Sequence, residues 1–299
     1  MMHLNPSSDS ARHNLVLPDR ERTGGRVTVQ GSRRASSISP WAAFVLIGML
    51  QAQSVQGQTN IREQLFSGKQ LLRDGSVLND EALVLKGYEL LKSAHAQSKS
   101  TTTLYFVAQA EWELVRLGVA SDERGTYDKF IEGALENGKE VVQQRKEWSE
   151  GHALLSSLHG YRIAHNALNA ITAGPKASGS ADEAVRLDSA NPRAWLVRGI
   201  VKLNTPWLFG GDKKEAVANL RKAVELFEQR PKPQWDEPEW GYLDAMLWLG
   251  WAYEQTDRPD DARAGYKKAM SAEPRATWIQ EKFLSPLTRR LAKDGDSSR

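Results

Sequence analysis

The strongest constraint on the fold is the residue spacing from Leu243 to Pro274, LDAMLWLGWAYEQTDRPDDARAGYKKAMSAEP. Apolar residues recur there at the three- and four-residue intervals of two amphipathic helices. Small residues on the facing stripes let the helices approach closely, and large residues fill the space beside them. The small residues are Gly250, Ala262 and Ala269, and the large ones are Leu249, Tyr253 and Tyr266. The stretch therefore predicts a helix-turn-helix unit that buries its apolar face by stacking on further units.

This spacing resembles the tetratricopeptide repeat, W-x2-L-G-x2-Y followed by A-x3-F-x2-A and a proline, with Met246 in the tryptophan position. A second copy is predicted at 192–228, where Trp195 and Gly199 match and an insertion containing TPWLFGGD separates the two helices. The chain is also similar to exported bacterial tetratricopeptide proteins of unassigned function. The resemblance implies an all-α, right-handed solenoid of about five helix pairs plus a C-terminal capping helix.

Helical periodicity also fills the chain before these two repeats, and no alternating strand pattern competes with it. The predicted helices run from about Thr59 to a stop at Gly75, from a cap at Asn79-Asp80, over Thr101–Ala120, from a cap at Ser121-Asp122 to about Trp148, and from Gly151 to Ile171, with a break at Gly174-Pro175. We therefore predict one solenoid over residues 58–299, with its clearest repeats at 192–228 and 243–274.

The N-terminal 57 residues have a different character. Residues 1–40 are rich in Ser, Arg and Gly without apolar periodicity, and the uncharged run WAAFVLIGML follows at 41–50. This run is too short to span a bilayer, which needs about 20 residues. Small residues follow it at Ala52, Ser54 and Gly57. We predict that 1–57 is a disordered segment with an export signal, which implies a periplasmic or envelope-associated protein without a stable membrane span. A short membrane-facing or buried helix at 41–50 is the alternative.

Composition excludes several classes of function. The chain has no cysteine, so disulfides, thiol catalysis and cysteine zinc sites are excluded. The net charge is +3, but six of the 40 basic residues and only three of the 37 acidic residues lie in residues 1–40, and residues 41–57 carry no charge. The predicted solenoid is therefore formally neutral, which argues against binding to nucleic acid.

No motif of a nucleophilic enzyme or a nucleotide-binding loop is present. His152 and His159 are seven positions apart, which is not the spacing of a metal-binding pair on a helix, so we expect core packing there. In the FGGD sequence ending at Asp212, the aspartate is expected to cap a helix, with an anion site beside Lys213-Lys214 as the alternative. We therefore expect a noncatalytic protein that needs neither metal nor cofactor.

Candidate ligand contacts follow from repeat positions that face the concave groove of a solenoid. They are Arg193, Ile200 and Asn204 from one repeat, Asp244, Leu247, Trp251 and Glu254 from the next, and Trp207 from the insertion. We expect a protein or peptide partner in this groove, and packing against neighbouring helices is the other reading of these residues. Because exposed apolar surface costs about 25 cal/mol per Å², the apolar residues 207–209 are expected to cover their own helices or the groove rim.

A second function remains open, that of a small-molecule-binding accessory protein of an envelope transporter. Seven of the ten tryptophans lie between Trp195 and Trp278, and such an aromatic-rich region suits an apolar ligand. This alternative requires an enclosed cavity of several hundred Å³, whereas the scaffold requires an open groove. Convergent carboxylates in a deep cleft would instead indicate an enzyme.

Overall fold

A computed structural model describes the backbone of residues 40–121 and 124–297, and the side chains of residues 57–121 and 125–293. The chain divides into two compact units, residues 1–49 and 50–299. Over the described backbone the chain is helical and has no strand, which confirms the all-α class. The helices are α1 (Pro40–Leu78), α2 (Glu81–Ser98), α3 (Thr101–Ala120), α4 (Arg124–Gln144), α5 (Ser149–His165), α6 (Ala170–Leu187), α7 (Pro192–Asn204), α8 (Lys213–Gln229), α9 (Tyr242–Glu254), α10 (Pro259–Ala272) and α11 (Ser285–Ser297).

Within residues 50–299 the helices stack as pairs, from α3 with α4 to α9 with α10. α1 packs on α2 through Gly68 and Gly87, and a π-helical turn at Gln280–Leu284 leads into the terminal helix α11. Small residues sit where two helices of a pair touch. A Cβ atom on Gly199 would lie 2.6 Å from the side chain of Leu220, and one on Gly250 would lie 2.4 Å from the ring of Tyr266. The predicted solenoid of about five pairs with a terminal helix is confirmed.

The first helix differs from the prediction at both ends. α1 begins at Pro40, so the predicted domain boundary at residue 58 falls inside a helix, and residues 1–39 lie outside the described residues. The predicted stop at Gly75 is wrong because this glycine serves a contact: a Cβ there would lie 2.6 Å from Val84. The helix ends instead before Asn79, which has a φ of 52°. None of the described helices has the length and apolar character needed to cross a bilayer.

The predicted break at Gly174-Pro175 is also wrong, because Pro175 lies within α6. The chain turns earlier, where Asn166 accepts a hydrogen bond from the backbone N–H of Leu168 and Asn169 donates one to the carbonyl of Arg162. A proline inside a helix removes one backbone hydrogen bond. A stripe of buried alanines compensates by packing α6 against α5. These alanines are Ala173, Ala177, Ala181 and Ala184.

The first and last parts of residues 50–299 meet. The indole Nε1 of Trp278 donates a hydrogen bond of 2.8 Å to the carbonyl of Val77, and Arg275 forms an ion pair of 2.9 Å with Asp74. The end of α1 is therefore fixed to the region between α10 and α11. A repeat array normally makes contacts only between neighbouring repeats, so this long-range closure is a departure from the simple solenoid.

Candidate functional site

The segment joining α8 to α9, residues 231–241, contacts the first helices of the pairs, and residues 238, 240 and 241 are buried there. The buried Lys69 ammonium on α1 donates hydrogen bonds to the carbonyl oxygens of Trp235 at 3.0 Å and Glu237 at 2.7 Å. It also forms an ion pair of 2.8 Å with the Glu239 carboxylate. Hydrogen bonds from a fixed cation to backbone carbonyls are a way in which a groove holds an extended peptide. Here the peptide belongs to the same chain.

Arg193 on α7 holds the same segment from a second side. Its guanidinium donates hydrogen bonds to the Glu150 carboxylate at 3.0 Å and to the Pro238 carbonyl at 2.6 Å. The guanidinium carbon also lies 5.6 Å from the ring centre of Trp240, within the range of a cation–π contact. Arg193 is only 2% exposed. The repeat position made Arg193 a candidate ligand contact, and in the structure its contacts are with its own chain.

Trp240 completes this occupation of the inner face. Its ring centre lies 4.8 Å from that of Trp112 on α3, and its Nε1 donates a hydrogen bond of 2.8 Å to the hydroxyl of Tyr105. The predicted open groove is therefore filled at this level by residues 234–240. This segment has the proline-rich sequence KPQWDEPEWG, which is typical of a linker. Two tryptophans in a proline-rich linker were the signal that it packs, because a solvent-exposed linker seldom carries such large apolar side chains.

A cavity of about 360 Å³ remains beside the segment, and we call it the apolar cavity. It lies among α3, α5, α6, α7 and α9, and apolar or aromatic side chains form most of its wall. Three of the predicted ligand contacts, Ile200, Asn204 and Asp244, line it. Its aromatic lining consists of Trp112, Tyr161, Trp240 and Trp248. The cavity has the volume of a small-ligand site.

A second cavity of about 210 Å³ shares Trp240 and Asp244 with the first, but more charged side chains line it. On its wall Arg116 forms an ion pair of 2.8 Å with Glu113. The Oε1 atom of Gln109, also on this wall, is buried and has no hydrogen-bond partner among the described residues. Burial raises the pKa values of Glu113 and Asp244, and the Arg116 guanidinium opposes this increase. The predicted contact Leu247 is buried and lines this cavity.

The insertion between α7 and α8 points away from both helices. Trp207, Leu208 and Phe209 form a short 3-10 helix and are 83%, 68% and 76% exposed. The expectation that they cover their own helices or a groove rim is therefore wrong. The turn is tight because Gly210 has a φ of 89° and a Cβ on Gly211 would lie 1.7 Å from the carbonyl oxygen of Thr205.

The turn between α5 and α6 and the start of α6 also expose large apolar side chains. Leu168 and Ile171 are 79% and 82% exposed.

At the start of α8, Asp212 caps the helix as predicted, accepting hydrogen bonds from the backbone N–H groups of Lys214 and Glu215 at 2.8 and 3.0 Å. That carboxylate occupies the helix terminus, so the structure supports the capping reading over an anion site.

The remaining predicted contacts, Trp251 and Glu254, have different surroundings. Trp251 on α9 is half-buried, with 39% of its surface exposed. Glu254 accepts a hydrogen bond of 2.6 Å from the Tyr266 hydroxyl and pairs with Arg290, so its carboxylate has partners within the helix stack. The structure thus brings Ile200, Asn204 and Asp244 together in one cavity, covers Arg193 and exposes Trp207.

The histidines of α5 do not form a cluster. His152 contacts the carbonyl of Lys146, and His165 stacks on Tyr127 with ring centres 3.7 Å apart. His159 is buried and its Nδ1 has no hydrogen-bond partner within the described part of the chain. Burial lowers the pKa of His159 to about 4, and nearby Lys176 adds to this effect. His159 is accordingly a neutral core residue.

Comparison with known proteins supports the class that the fold defines. Residues 243–275 match the tetratricopeptide repeat family. The solved structure of TTC0263, a thermophilic tetratricopeptide protein of Thermus thermophilus, is 22% identical with a TM-score of 0.52, covering 74% of this chain and 99% of that one. The HusA haemophore from Porphyromonas gingivalis is 20% identical with a TM-score of 0.51, covering 64% of this chain and 94% of that one. No curated protein sequence matches the chain.

The stacked helix pairs thus define a helical-repeat protein. Residues 243–275 match a tetratricopeptide repeat, and the fold is similar to that of a solved tetratricopeptide protein. Stacked repeats of this kind expose extended surfaces that bind proteins or peptides, and they typically serve as noncatalytic scaffolds.

Proposed function

We propose that this protein is a noncatalytic scaffold of the bacterial cell envelope that binds a protein partner through its exposed inter-helix turns. The observation that carries the proposal is a set of five large apolar side chains, each between 68% and 83% exposed, in the turns of two consecutive helix pairs. We call this set the apolar turn surface. It consists of Leu168, Ile171, Trp207, Leu208 and Phe209.

The two turns belong to neighbouring pairs, since α5 packs against α7 and α6 packs against α7. Corresponding turns of consecutive repeats lie on the same edge of a solenoid. Soluble proteins seldom expose several large apolar residues together unless the surface binds something, and tryptophan is enriched among residues that dominate binding energy. The inner face is occupied by residues 234–240, so the partner surface that we propose lies on this edge rather than in the groove.

The envelope location rests on the sequence. An arginine-containing segment precedes the uncharged run at 41–50, and small residues follow at Ser54 and Gly57. That order is the one found in export signals. Intact-mass measurement of protein recovered from the native envelope tests this part, with cleavage expected after Ser54 or Gly57. Recovery of an uncleaved cytoplasmic species would contradict it.

The partner surface is tested by affinity measurement. The purified protein is cross-linked in envelope extract, the captured partner is purified, and its dissociation constant is measured against variants. We expect Trp207→Ala and Phe209→Ala each to weaken binding by about 1 kcal/mol or more, the effect of an aromatic anchor. Trp251→Ala tests the half-buried groove position in the same assay. Trp235→Ala is the matched control, because Trp235 is 40% exposed but lies in the 231–241 segment. Unchanged affinity for both turn variants would contradict the assignment.

A second candidate function, small-molecule binding as an accessory to an envelope transporter, is favoured by the apolar cavity of about 360 Å³. Its volume lies within the range of ligand sites. HusA, which is described as a haemophore, has a fold of this type, so small-ligand binding is compatible with the architecture. Native mass spectrometry of protein purified from its own envelope tests this candidate, and a bound small molecule is the expected result. Protein that carries none, and that also fails to bind any of the small probes tested below, would rule the candidate out.

A further inference from the structure

Asp244 is the one charged residue among the described residues that line the apolar cavity. Its pKa is raised by burial and lowered by Arg116, with which it interacts electrostatically. Within the described residues, however, the Asp244 carboxylate has no ion pair closer than 4 Å and no hydrogen bond from another side chain. A half-buried carboxylate without a bonded cation is costly unless a partner reaches it.

The nearby cation is already engaged. Arg116 donates a hydrogen bond of 2.8 Å to the Glu113 carboxylate and further bonds to Ser76. The group formed by Glu113, Arg116 and Asp244 therefore contains two carboxylates and one guanidinium. Its formal charge is negative when both acids are ionised, and the guanidinium forms its ion pair with Glu113. Asp244 is left without a bonded cation, and it lines both the apolar cavity and the second cavity, which contains Arg116.

Aromatic rings form much of the wall that this carboxylate shares. The ring centre of Trp112 lies 4.8 Å from that of Trp240 and 6.2 Å from that of Tyr161, and Trp248 lines the same cavity. The faces of tryptophan and tyrosine rings attract cations, and several such rings together bind amines and quaternary ammonium groups. A carboxylate among aromatic rings therefore matches a cation that carries apolar substituents.

Three of the other polar side chains on the wall have partners. Ser156 donates a hydrogen bond of 2.8 Å to the Ala177 carbonyl, the Trp112 indole donates one of 2.8 Å to Ser157, and Asn204 donates one of 2.8 Å to the Ile200 carbonyl. These groups therefore have less need of a hydrogen bond from a ligand. The Asp244 carboxylate is left as the main polar feature, and it repels an anionic ligand.

We propose that the apolar cavity binds an organic ammonium ion, an amine or quaternary ammonium compound with apolar substituents, whose charge lies against Asp244 and the surrounding aromatic rings. This inference rests on the second proposed function, because it names the ligand class for that cavity. It is independent of the apolar turn surface.

Three probes with one phenyl body and different charges test the inference: 2-phenylethylammonium, 2-phenylethanol and phenylacetate. Binding to the purified full chain is measured by isothermal titration calorimetry at pH 8, where the amine is still mostly protonated. We expect the ammonium to bind about tenfold more tightly than the alcohol, because only the ammonium gains cation–π contacts and attraction to the carboxylate. Phenylacetate should bind most weakly.

Substitutions locate the charge preference. Asp244→Asn should bring the ammonium and alcohol affinities to within about twofold, whereas Asp244→Glu should keep the preference. Asp260→Asn on the same repeat is the matched control, since the Asp260 side chain is 90% exposed, and it should change neither affinity. Trp248→Leu keeps an apolar wall but removes a ring, so it should weaken the ammonium more than the alcohol. Thermal melting identifies any variant that fails to fold.

The outcomes distinguish the ammonium assignment from small-molecule binding in general. Equal affinity for the ammonium and the alcohol in the parent protein, or a preference that survives Asp244→Asn, would overturn the ammonium assignment and leave small-molecule binding intact. Failure of all three probes to bind would overturn both the ammonium assignment and the cavity as a ligand site for molecules of this size.

Discussion

The indole of Trp240 donates a hydrogen bond of 2.8 Å to the hydroxyl of Tyr105, across 135 positions of the chain. Both side chains are buried, and burial raises the pKa of Tyr105 far above its ordinary value, so the phenol stays neutral. A neutral hydroxyl both donates and accepts hydrogen bonds, which suits it to receive the indole N–H. Through this contact the 231–241 segment becomes an internal wall of the inner face, with a cavity on each side.

Trp240→Phe tests that contact. The variant keeps an aromatic ring, but it removes the hydrogen bond to Tyr105 and part of the buried area, so we expect a loss of about 1–3 kcal/mol in the free energy of unfolding. Urea denaturation measures it. Trp235→Phe in the same segment is the control, and because Trp235 is 40% exposed its cost should be within about 0.5 kcal/mol. Equal stability of the two variants would show that the segment is not anchored by Trp240.

Local spacing was enough to predict the helix pairs. Gly250 and Tyr266 lie in one repeat, and their contact follows from helical periodicity, as does that of Gly199 with Leu220. The errors occurred where a contact with another helix determined the outcome. Gly75 stays helical because it packs against Val84. Pro175 stays inside α6 because a stripe of alanines holds that helix against α5. In both cases a helix-breaking residue was taken as a helix end without regard to the helix that packs against it.

The candidate site was predicted less completely for the same reason. Repeat positions placed Ile200, Asn204 and Asp244 on the inner side, and all three line the apolar cavity. The sequence did not indicate that residues 234–240 return across that face, because the contacts of Lys69 with Trp235 and Glu237 join positions more than 160 residues apart. It also did not indicate that Trp207 is exposed.

Lys69→Met tests the return of this segment. Lys69 is buried and is the donor to the carbonyls of Trp235 and Glu237. Methionine fills similar space without donating, so these carbonyls lose a charged hydrogen-bond donor, and we expect a loss of about 1–3 kcal/mol in stability. Limited proteolysis should cut residues 231–240 faster in the variant. The control is Lys232→Met in the same segment, whose side chain is exposed. Unchanged proteolysis of the Lys69 variant would contradict the anchoring role.

Gly250→Leu tests the closest approach of α9 and α10. A Cβ at Gly250 would lie 2.4 Å from the ring of Tyr266, a buried side chain with little freedom to move. Overpacking of this kind costs about 1–3 kcal/mol, measured by thermal or urea denaturation. Gly265→Ala on α10 is the control. The nearest atom to a Cβ there lies at 3.7 Å, an ordinary contact, and alanine favours a helix over glycine by up to about 1 kcal/mol. A Gly250 variant as stable as the parent protein would contradict the predicted helix register.

The buried imidazole of His159 predicts how stability changes in acid. Burial lowers the pKa of His159 from its ordinary value of 6.5 to about 4. Between these values the unfolded chain binds a proton that the folded chain excludes. This residue therefore contributes no pH dependence above about pH 7, and it reduces stability as pH falls through 6.5 towards 4, with a slope of at most about 1.4 kcal/mol per pH unit.

His159→Phe removes this titration while retaining a planar ring in the core. Urea denaturation of the parent protein and the variant at pH 8, 6 and 5 measures the difference. Near pH 8 the imidazole is neutral in both states, so the two proteins should differ by a constant packing term. Because acidic residues such as Glu113 titrate in both proteins, their effects cancel in the comparison. The variant should therefore gain relative to the parent protein by about 1 kcal/mol between pH 6 and pH 5. A difference in unfolding free energy that stays constant from pH 8 to pH 5 would mean that the imidazole accepts its proton in the folded state.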